Sequence, residues 1–443
     1  MVVKNKITLM ALAVILLTGC AATPNVQYQT SDIRPTAPES ASGYAEKSGW
    51  AAKKFMVAAA NPLATEAGYQ VLKAGGSAID AAIATQMVLT LVEPQSSGIG
   101  GGAFLMHSDG ATVKAFDGRE TAPAAASDKL FQGADGKMMR FYDGLVGGRS
   151  VGVPGVLRML ETKDIRPFAP KDGALDVEAV HLFSEVGRLV YADRDRYVAD
   201  TDFVPLPGNS VKPLLDKKYL AERAALITEK SMGPAKSGEP PATALARGKD
   251  TSPELPSTSH ISIVDGSGNA VSMTTTIEDA FGSRQMVRGF LLNNELTDFS
   301  MNSADASGPI ANRVQGGKRP RSTMSPTFVF EKGTSTLILS TGSPGGSAII
   351  NYVGKVLIGM MDWGLNVQQA ISLPNFGSRN GPTELEQGRV SNLLIEQLQA
   401  KGHNVRVIEQ TSGLQGIMRI NIHGQDMWFG GADPRREGTV KGD

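Results

Sequence analysis

At Thr258 the sequence changes period, and this change points the chain toward a layered α/β architecture. Upstream, the recognisable segments are mostly helical; downstream, polar and apolar residues alternate. Ser259 to Val264 and Ala270 to Thr276 read as a hairpin around Asp265-Gly266-Ser267-Gly268-Asn269. Pro326 to Phe330 and Ser335 to Thr341 read as a second. Before the switch, Phe55 to Ala60 reads as a buried strand. Asn61 caps a helix with Pro62 in its first turn, running to about Lys73 and stopping at Gly75-Gly76. Ser77 to Asp80 has the form of a capping box for a helix over Ala81 to Leu91. Ser97 to Gly102 is a glycine loop leading into a strand over Ala103 to His107. No Lys-Ser/Thr follows it and no helix opens after it, so it reads as close backbone packing and not as a phosphate cradle. Val177 to Asp193 fits a helix with Val180, Phe183, Val186, Val190 and Tyr191 on one face. Asp200 to Pro256 is mostly loop, with a helical patch around Leu220 to Leu226. Ser347 to Met361 and Ser391 to Ala400 are helical, and two strands, Gly416 to Ile422 and Asp426 to Gly430, finish the chain. Helices on one side and hairpins on the other predict a layered α/β sandwich.

The composition narrows the function classes. Lys plus Arg and Asp plus Glu are both 44, so no basic footprint marks a nucleic-acid or anionic-membrane surface. At the N-terminus, Lys4 and Lys6 precede the apolar run Ile7 to Leu17, which is short for a permanent span and reads as a signal peptide. It ends in Leu17-Thr18-Gly19-Cys20, similar to the bacterial lipobox. That similarity implies removal of residues 1–19 and a lipid on Cys20, with the protein anchored on the periplasmic side of a bacterial membrane. Cys20 is the single cysteine, which excludes an internal disulfide and a cysteine metal cluster. The stretch from Ala21 to about Trp50 is rich in Ala, Ser, Thr, Pro and Gln; residues 20–53 are expected to be a disordered tether, with order from Lys54.

The five histidines are scattered, and none of them lies in a His-x-x-x-His or Gly-x-Ser-x-Gly setting. Nothing points to a Ser-His-Asp triad, and neither a metal nor a cofactor is expected. One residue suffices for another solution. A threonine freed by cleavage of the bond before it carries a hydroxyl nucleophile and an α-amine of pKa about 7.7–8.0, close enough to neutrality to serve as general base. Thr258 stands at the head of a strand after the irregular Pro253-Glu254-Leu255-Pro256-Ser257. Geometry alone also fits an ordinary strand threonine, which is the commoner occupant of such a place.

Several motifs, in order, go further. Thr258-Ser259-His260-Ile261-Ser262, Gly268-Asn269-Ala270-Val271, Thr274-Thr275-Thr276 and Phe281-Gly282 resemble the processing-site region of the γ-glutamyltransferase family. So do Leu292 to Phe299, Lys318-Arg319-Pro320-Arg321-Ser322-Thr323-Met324-Ser325-Pro326, Thr341 to Ser347 and Asp433-Pro434-Arg435. Upstream, Asp117 to Pro123, Ser150 to Gly155 and Tyr191 to Arg194 are also similar. The resemblance implies a layered αββα sandwich of the N-terminal nucleophile hydrolase type. Two fragments of one precursor, 54–257 and 258–443, build it jointly after cleavage between Ser257 and Thr258. It implies a Thr258 acyl-enzyme, with Thr276 holding the Thr258 amine and the Gly345 and Gly346 N–H groups facing the oxyanion. Arg119, with Ser322 and Thr323, would grip the substrate α-carboxylate, and Glu295 and Asp298 the α-ammonium. The implied partners are glutathione or another γ-glutamyl amide as donor, an amino acid, peptide or water as acceptor, and the second fragment itself.

Three departures qualify the resemblance. Between Arg158 and about Val177 the family carries well over a hundred more residues, so the first fragment reads as shortened by an internal deletion near 159–176. Glu278 stands where glutathione-cleaving members have Asn; it adds negative charge to the head-group pocket and is similar to members grouped with cephalosporin acylases. The stretch Asn302 to Gly317 is a short lid. The alternatives are therefore a glutaryl-type amidohydrolase and an unprocessed, inactive lipoprotein.

Overall fold

The computed structural model describes residues 43–133, 135–141, 165–243, 247–253, 255 and 257–443. These fall in one compact unit, Thr36–Asp443. The expected signal segment, Cys20, most of the expected tether, Ser150 to Gly155 and residues 159–164 of the link read as shortened lie outside the described residues.

Two antiparallel sheets form the centre. The first contains β2 (Met56–Ala59), β3 (Gly102–Ser108), β4 (Val113–Asp117), β5 (Ser259–Val264), β6 (Ala270–Thr276) and β11 (Thr439–Gly442), in the order β11-β2-β5-β6-β3-β4. The second contains β1 (Trp50–Ala52), β7 (Thr327–Phe330), β8 (Leu337–Gly342), β9 (Gln415–Ile422) and β10 (Gln425–Ala432), in the order β1-β10-β9-β8-β7. In the first sheet, Ser259 lies opposite Thr275, and Gly102 opposite Thr276, so Thr258 and Thr276 meet at one end of the sheet.

Period-two alternation sorts the residues of each strand between layers. Val57, Ala59, Ile261, Ile263 and Val271 face α1 (Pro62–Lys73) and α2 (Ala78–Val92), meeting Ala64, Leu72, Ala81 and Leu89. Ile261 and Ile263 are fully buried, which is worth about 1.5–3 kcal/mol each. Met56, Ala58, Val264 and Ala270 face the second sheet, against Leu337 and Ile417. Beyond that sheet, α5 (Ile349–Met361) and α6 (Val367–Ser372) pack Tyr352, Val356, Met360, Val367 and Ile371 on Leu339. The result is the four-layer αββα sandwich. α3 (Val177–Tyr197) packs Val180 and Phe183 against Ile358 of α5 and against Phe376 and Leu385 in a small three-stranded sheet. The helical patch near Leu220 is α4 (Lys217–Ala224), and α7 (Asn392–Ala400) closes at Lys401.

The local signals fall where expected. Asn61 Oδ1 accepts the Leu63 N–H at 3.0 Å, and Gly75 ends α1 at φ +90°. Ser77 and Asp80 form a reciprocal capping box. Three expectations change. Residues 43–53, assigned to the tether, are ordered: Trp50–Ala52 pairs with β10, and the Lys47 ammonium caps the Asp433 and Arg436 carbonyls at 2.7 Å. The chain does not finish at β10, because β11 returns to pair with β2. The helix expected from Ser347 starts as a 3-10 turn at Gly346–Ala348 and becomes α-helical at Ile349.

Candidate active site

Thr258 sits at the mouth of β5, 4% exposed, with the chain still continuous through Ser257. Its Oγ1 lies 3.3 Å from Thr276 Oγ1, which also accepts the Glu278 N–H at 2.8 Å. Thr258 has φ +114°, a conformation that a β-branched residue adopts only when its surroundings impose it, at a cost of about 1–3 kcal/mol. The surroundings are visible. Ser257 Oγ donates to the Gln95 carbonyl at 3.1 Å, and the Ser257 carbonyl accepts the Gly345 N–H at 3.3 Å. The carbonyl next to the Thr258 hydroxyl therefore already faces a backbone donor. Gly345 holds φ +133°, and a Cβ there would lie 2.6 Å from the Tyr352 ring.

The glycine loop before β3 allows the close approach that sequence implied. A Cβ on Gly101 would lie 1.9 Å from the Thr276 carbonyl oxygen, and one on Gly102 2.0 Å from Glu120 Oε2.

Thr258, Thr276, Glu278, Glu295, Asp298, Arg119, Ser322, Thr323 and Gly346 all line one pocket. Gly345 reaches it through the Ser257 carbonyl. The pairing differs from that expected. Arg119 and the acidic pair were assigned to opposite ends of a substrate, but here they hold each other. The Arg119 guanidinium contacts Glu295 through Nη1 and Asp298 through Nη2, the latter at 2.8 Å, with Glu120 at 3.8 Å. Burial works against the guanidinium charge, but Glu295, Glu120 and Asp298 more than offset it. Thr323 Oγ1 donates to the Gly346 carbonyl at 2.6 Å, and Ser322 Oγ accepts the Met324 N–H at 3.2 Å, so both hydroxyls brace their own loops.

Glu278 faces the pocket and not a local cation. Asn294 Nδ2 donates to its Oε2 at 2.5 Å, while Arg284 sits 3.5 Å from Asp279. Burial, then Asp298, Asp279 and Glu295, push the Glu278 carboxyl well above the usual range. Burial and Glu120 do the same to Glu295. Three carboxyls, of Glu120, Glu295 and Asp298, thus lie on one guanidinium with Glu278 beside them, an acidic excess that favours an added positive charge.

Sequence reasoning missed three contributors. Leu255, 5% exposed, lines the pocket three residues before the nucleophile. Asn294, fully buried, ties the Asp279 N–H to the Glu278 carboxylate. Glu120 completes the acidic cluster. The doubled Asn293-Asn294 and the Arg119-Glu120 pair were the available signals. His260 is no base: it is fully buried between Thr274 Oγ1 at 2.9 Å and Ser262 Oγ at 3.1 Å, and burial holds its pKa at about 3. No metal was expected. The described group with metal-ligating proximity, His181, Glu185 and His403, is occupied by its own hydrogen bonds: His181 Nδ1 to His403 Nε2 at 2.8 Å, and Glu185 to Arg188 at 2.9 Å and to Ser231 at 2.8 Å.

Known proteins resemble this chain in sequence and in fold. The chain is 28% identical to the glutathione hydrolase proenzyme of Bacillus subtilis (strain 168) over 549 residues, covering 88% of this chain and 92% of that protein. It is 34% identical to the glutathione hydrolase proenzyme of Escherichia coli (strain K12), over 63% of this chain and 46% of that one. It is 30% identical to the acylase ACY 1 proenzyme of Pseudomonas sp. (strain SE83), over 65% and 47%. The crystal structure of cephalosporin acylase from Bacillus halodurans superposes with a TM-score of 0.72 over 93% of this chain and 99% of that one, at 22% identity, which speaks for the fold. A sequence model of gamma-glutamyltranspeptidase matches residues 64–166 and 165–443. With a threonine at the head of β5, a backbone donor on the preceding carbonyl and a match running from α1 to the last strand, this chain belongs to the gamma-glutamyltranspeptidase family.

Proposed function

We propose that the chain is a self-processing γ-glutamyltransferase or glutathione hydrolase that works through a Thr258 acyl-enzyme. The observation that carries this reading is the Ser257 carbonyl, held on the Gly345 N–H beside a Thr258 forced to φ +114°. In the first step the Thr258 hydroxyl adds to the Ser257 carbonyl carbon, and its proton passes to the Thr258 nitrogen as the C–N bond breaks. The oxyanion develops toward the Gly345 N–H. Collapse breaks the C–N bond, leaving an ester and a free amine, and water then hydrolyses the ester. Leaving the strained peptide geometry favours this direction.

The freed amine then serves as base for the second reaction. Thr258 Oγ attacks the γ-carbonyl of glutathione or a related amide, the amine takes the hydroxyl proton and returns it to the leaving nitrogen, and water or an amino acid takes the acyl group. Substrate must exchange ion pairs: its carboxylate replaces a carboxylate on Arg119, and its ammonium joins the released acid. The acidic excess supports a donor with an ammonium, which ranks γ-glutamyl amides above glutaryl amides. The relationship to an acylase keeps the glutaryl reading second.

Mass spectrometry of the purified protein tests the proposal. The expected result is a fragment beginning at Thr258 and hydrolysis of a γ-glutamyl anilide. A Thr258→Ala protein that is still cut at the same bond overturns it. We also place the protein on the periplasmic side of a bacterial membrane, held by lipid on Cys20. Among the described residues no helix is long and apolar enough to cross a membrane. Cys20→Ser should move the protein to the soluble fraction with its activity intact.

A further inference from the structure

Away from Thr258, the loops that follow α3 enclose a cavity of about 200 Å³ that shares no residue with the nucleophile pocket. Its polar feature is Arg247. This side chain is 8% exposed, and its Nη2 donates to the Pro205 carbonyl. Its Nη1 is buried with no hydrogen-bond partner, and no carboxylate pairs with it among the described residues. A buried guanidinium is normally matched by a carboxylate, because removing its water without replacing it is costly. Burial disfavours the charge most; Tyr197 works the other way, and Arg196 and Arg313 add to the cost. Arg196 is answered by Glu239 at 2.5 Å. Arg247 is not answered.

Apart from the exposed Asn209, the rest of the cavity wall is apolar or already engaged. Pro205, Leu206 and Pro207 form one side. Tyr197 presents its ring, since its hydroxyl donates to the Gly238 carbonyl at 2.7 Å, and the Thr243 hydroxyl donates to the Pro240 carbonyl at 2.7 Å. The cavity therefore offers one charged donor at one point, the exposed Asn209 amide at another, and a largely hydrocarbon wall between them. We propose that it is a binding site for a small organic carboxylate with an apolar tail, whose carboxylate accepts from Arg247 Nη1 and whose tail lies on Pro205, Leu206 and Pro207. A bare phosphate would satisfy the guanidinium but leave the apolar wall uncovered.

The position gives such a ligand leverage. Directly after Arg247, the Gly248 N–H donates to the Pro309 carbonyl at 3.1 Å and the Lys249 N–H to Asp305 at 2.8 Å. Asp250 then meets Arg321 at 3.3 Å, next to Ser322 in the nucleophile pocket. A ligand on Arg247 braces the start of the strap that leads to Ser257.

The test is calorimetric titration of the full chain carrying Arg119→Lys, so that the nucleophile pocket is weakened as a carboxylate site. Hexanoate, hexanol and inorganic phosphate are the probes. Hexanoate should bind at one site per chain, and hexanol and phosphate each at least about tenfold more weakly, the worth of one charge-assisted contact or of the apolar wall. Arg247→Met should weaken hexanoate by at least about tenfold, and Arg247→Lys by less. Comparison of hexanoate with hexanol in the unsubstituted cavity decides the matter even if Arg247→Met fails to fold. Equal binding of hexanoate and hexanol, tighter binding of phosphate, no saturable binding of hexanoate, or hexanoate affinity unchanged in a folded Arg247→Met protein each overturns the proposal.

Discussion

Gly345→Ala isolates the donor that faces the bond to be cut. In the uncut chain the Gly345 N–H lies 3.3 Å from the Ser257 carbonyl oxygen, long for a hydrogen bond to a neutral carbonyl and well placed to shorten as the oxygen gains charge. Alanine at φ +133° is strained by about 1–3 kcal/mol. Its Cβ would also lie 2.6 Å from Cε2 of Tyr352, a buried ring on α5. Since α5 is packed on β8, the relief is movement of the Gly345-Gly346 turn, which swings the N–H off the carbonyl. Loss of one oxyanion donor slows acyl transfer by about 10²–10³. Self-cleavage should slow by that factor, and turnover in any chain that does mature should fall similarly. The assay is a time course of the uncut chain on a denaturing gel, started directly after purification. Gly388→Ala is the control: Gly388 also has positive φ, at +73°, with nothing within 4 Å of its Cβ position, and should leave cleavage untouched. Cleavage of Gly345→Ala within about twofold of the parent rate would refute the assignment of Gly345 to the oxyanion.

Arg119→Lys keeps the buried positive charge among Glu295 and Asp298 but loses the two-pronged geometry. Self-cleavage should persist while KM for a γ-glutamyl anilide rises about tenfold or more, the worth of one charge-assisted contact; an unchanged KM counts against Arg119 as the carboxylate site. Glu278→Asn should lower the ratio of catalytic efficiencies for γ-glutamyl over glutaryl donors, because a carboxyl facing the ammonium is lost; a ratio unchanged within about twofold removes Glu278 from selectivity. His260 titrates near 3 when folded and near 6.5 when exposed, so the unfolded chain binds the extra proton between those values. Stability should therefore fall as pH drops through that window, by up to about 1.4 kcal/mol per pH unit from this residue. Chemical denaturation of His260→Asn should show a shallower acid slope, and an identical slope would rule out His260 as the source.

What sequence could and could not supply follows from the range of the forces involved. The Asn61 cap, the Ser77–Asp80 box and the hairpin around Gly268 are set by neighbours a few residues away, and all stand where the sequence placed them. The position of Thr258 against Thr276 was legible too, because one hairpin carries both. β1 and β11 were not: Trp50 finds Gly430, and Thr439 finds Ala59, with no local signal in either short segment. β4 is exposed along its whole length and so lacks the alternation that marks a strand. In the pocket, residue identities were legible from motifs, but their mutual pairing was not. Arg119 and Glu295 lie 176 residues apart, and only folding reveals that they neutralise each other before any substrate arrives.

The interleaving of the large sheet sets what cleavage at Ser257 does to the molecule's physical state. β2 precedes the cut, yet it lies between β5 and β11, which both follow it. β3 is likewise bonded to β6 across the same divide. The two products are therefore threaded through one another's hydrogen-bond ladders and do not separate while the sheet is intact. After the cut, however, a melted molecule is two chains with no covalent memory of each other. Re-forming the sheet then requires an encounter, so recovery depends on concentration where that of the precursor does not. The cut thus makes resistance to melting depend both on concentration and on how slowly β2 is extracted from between its neighbours.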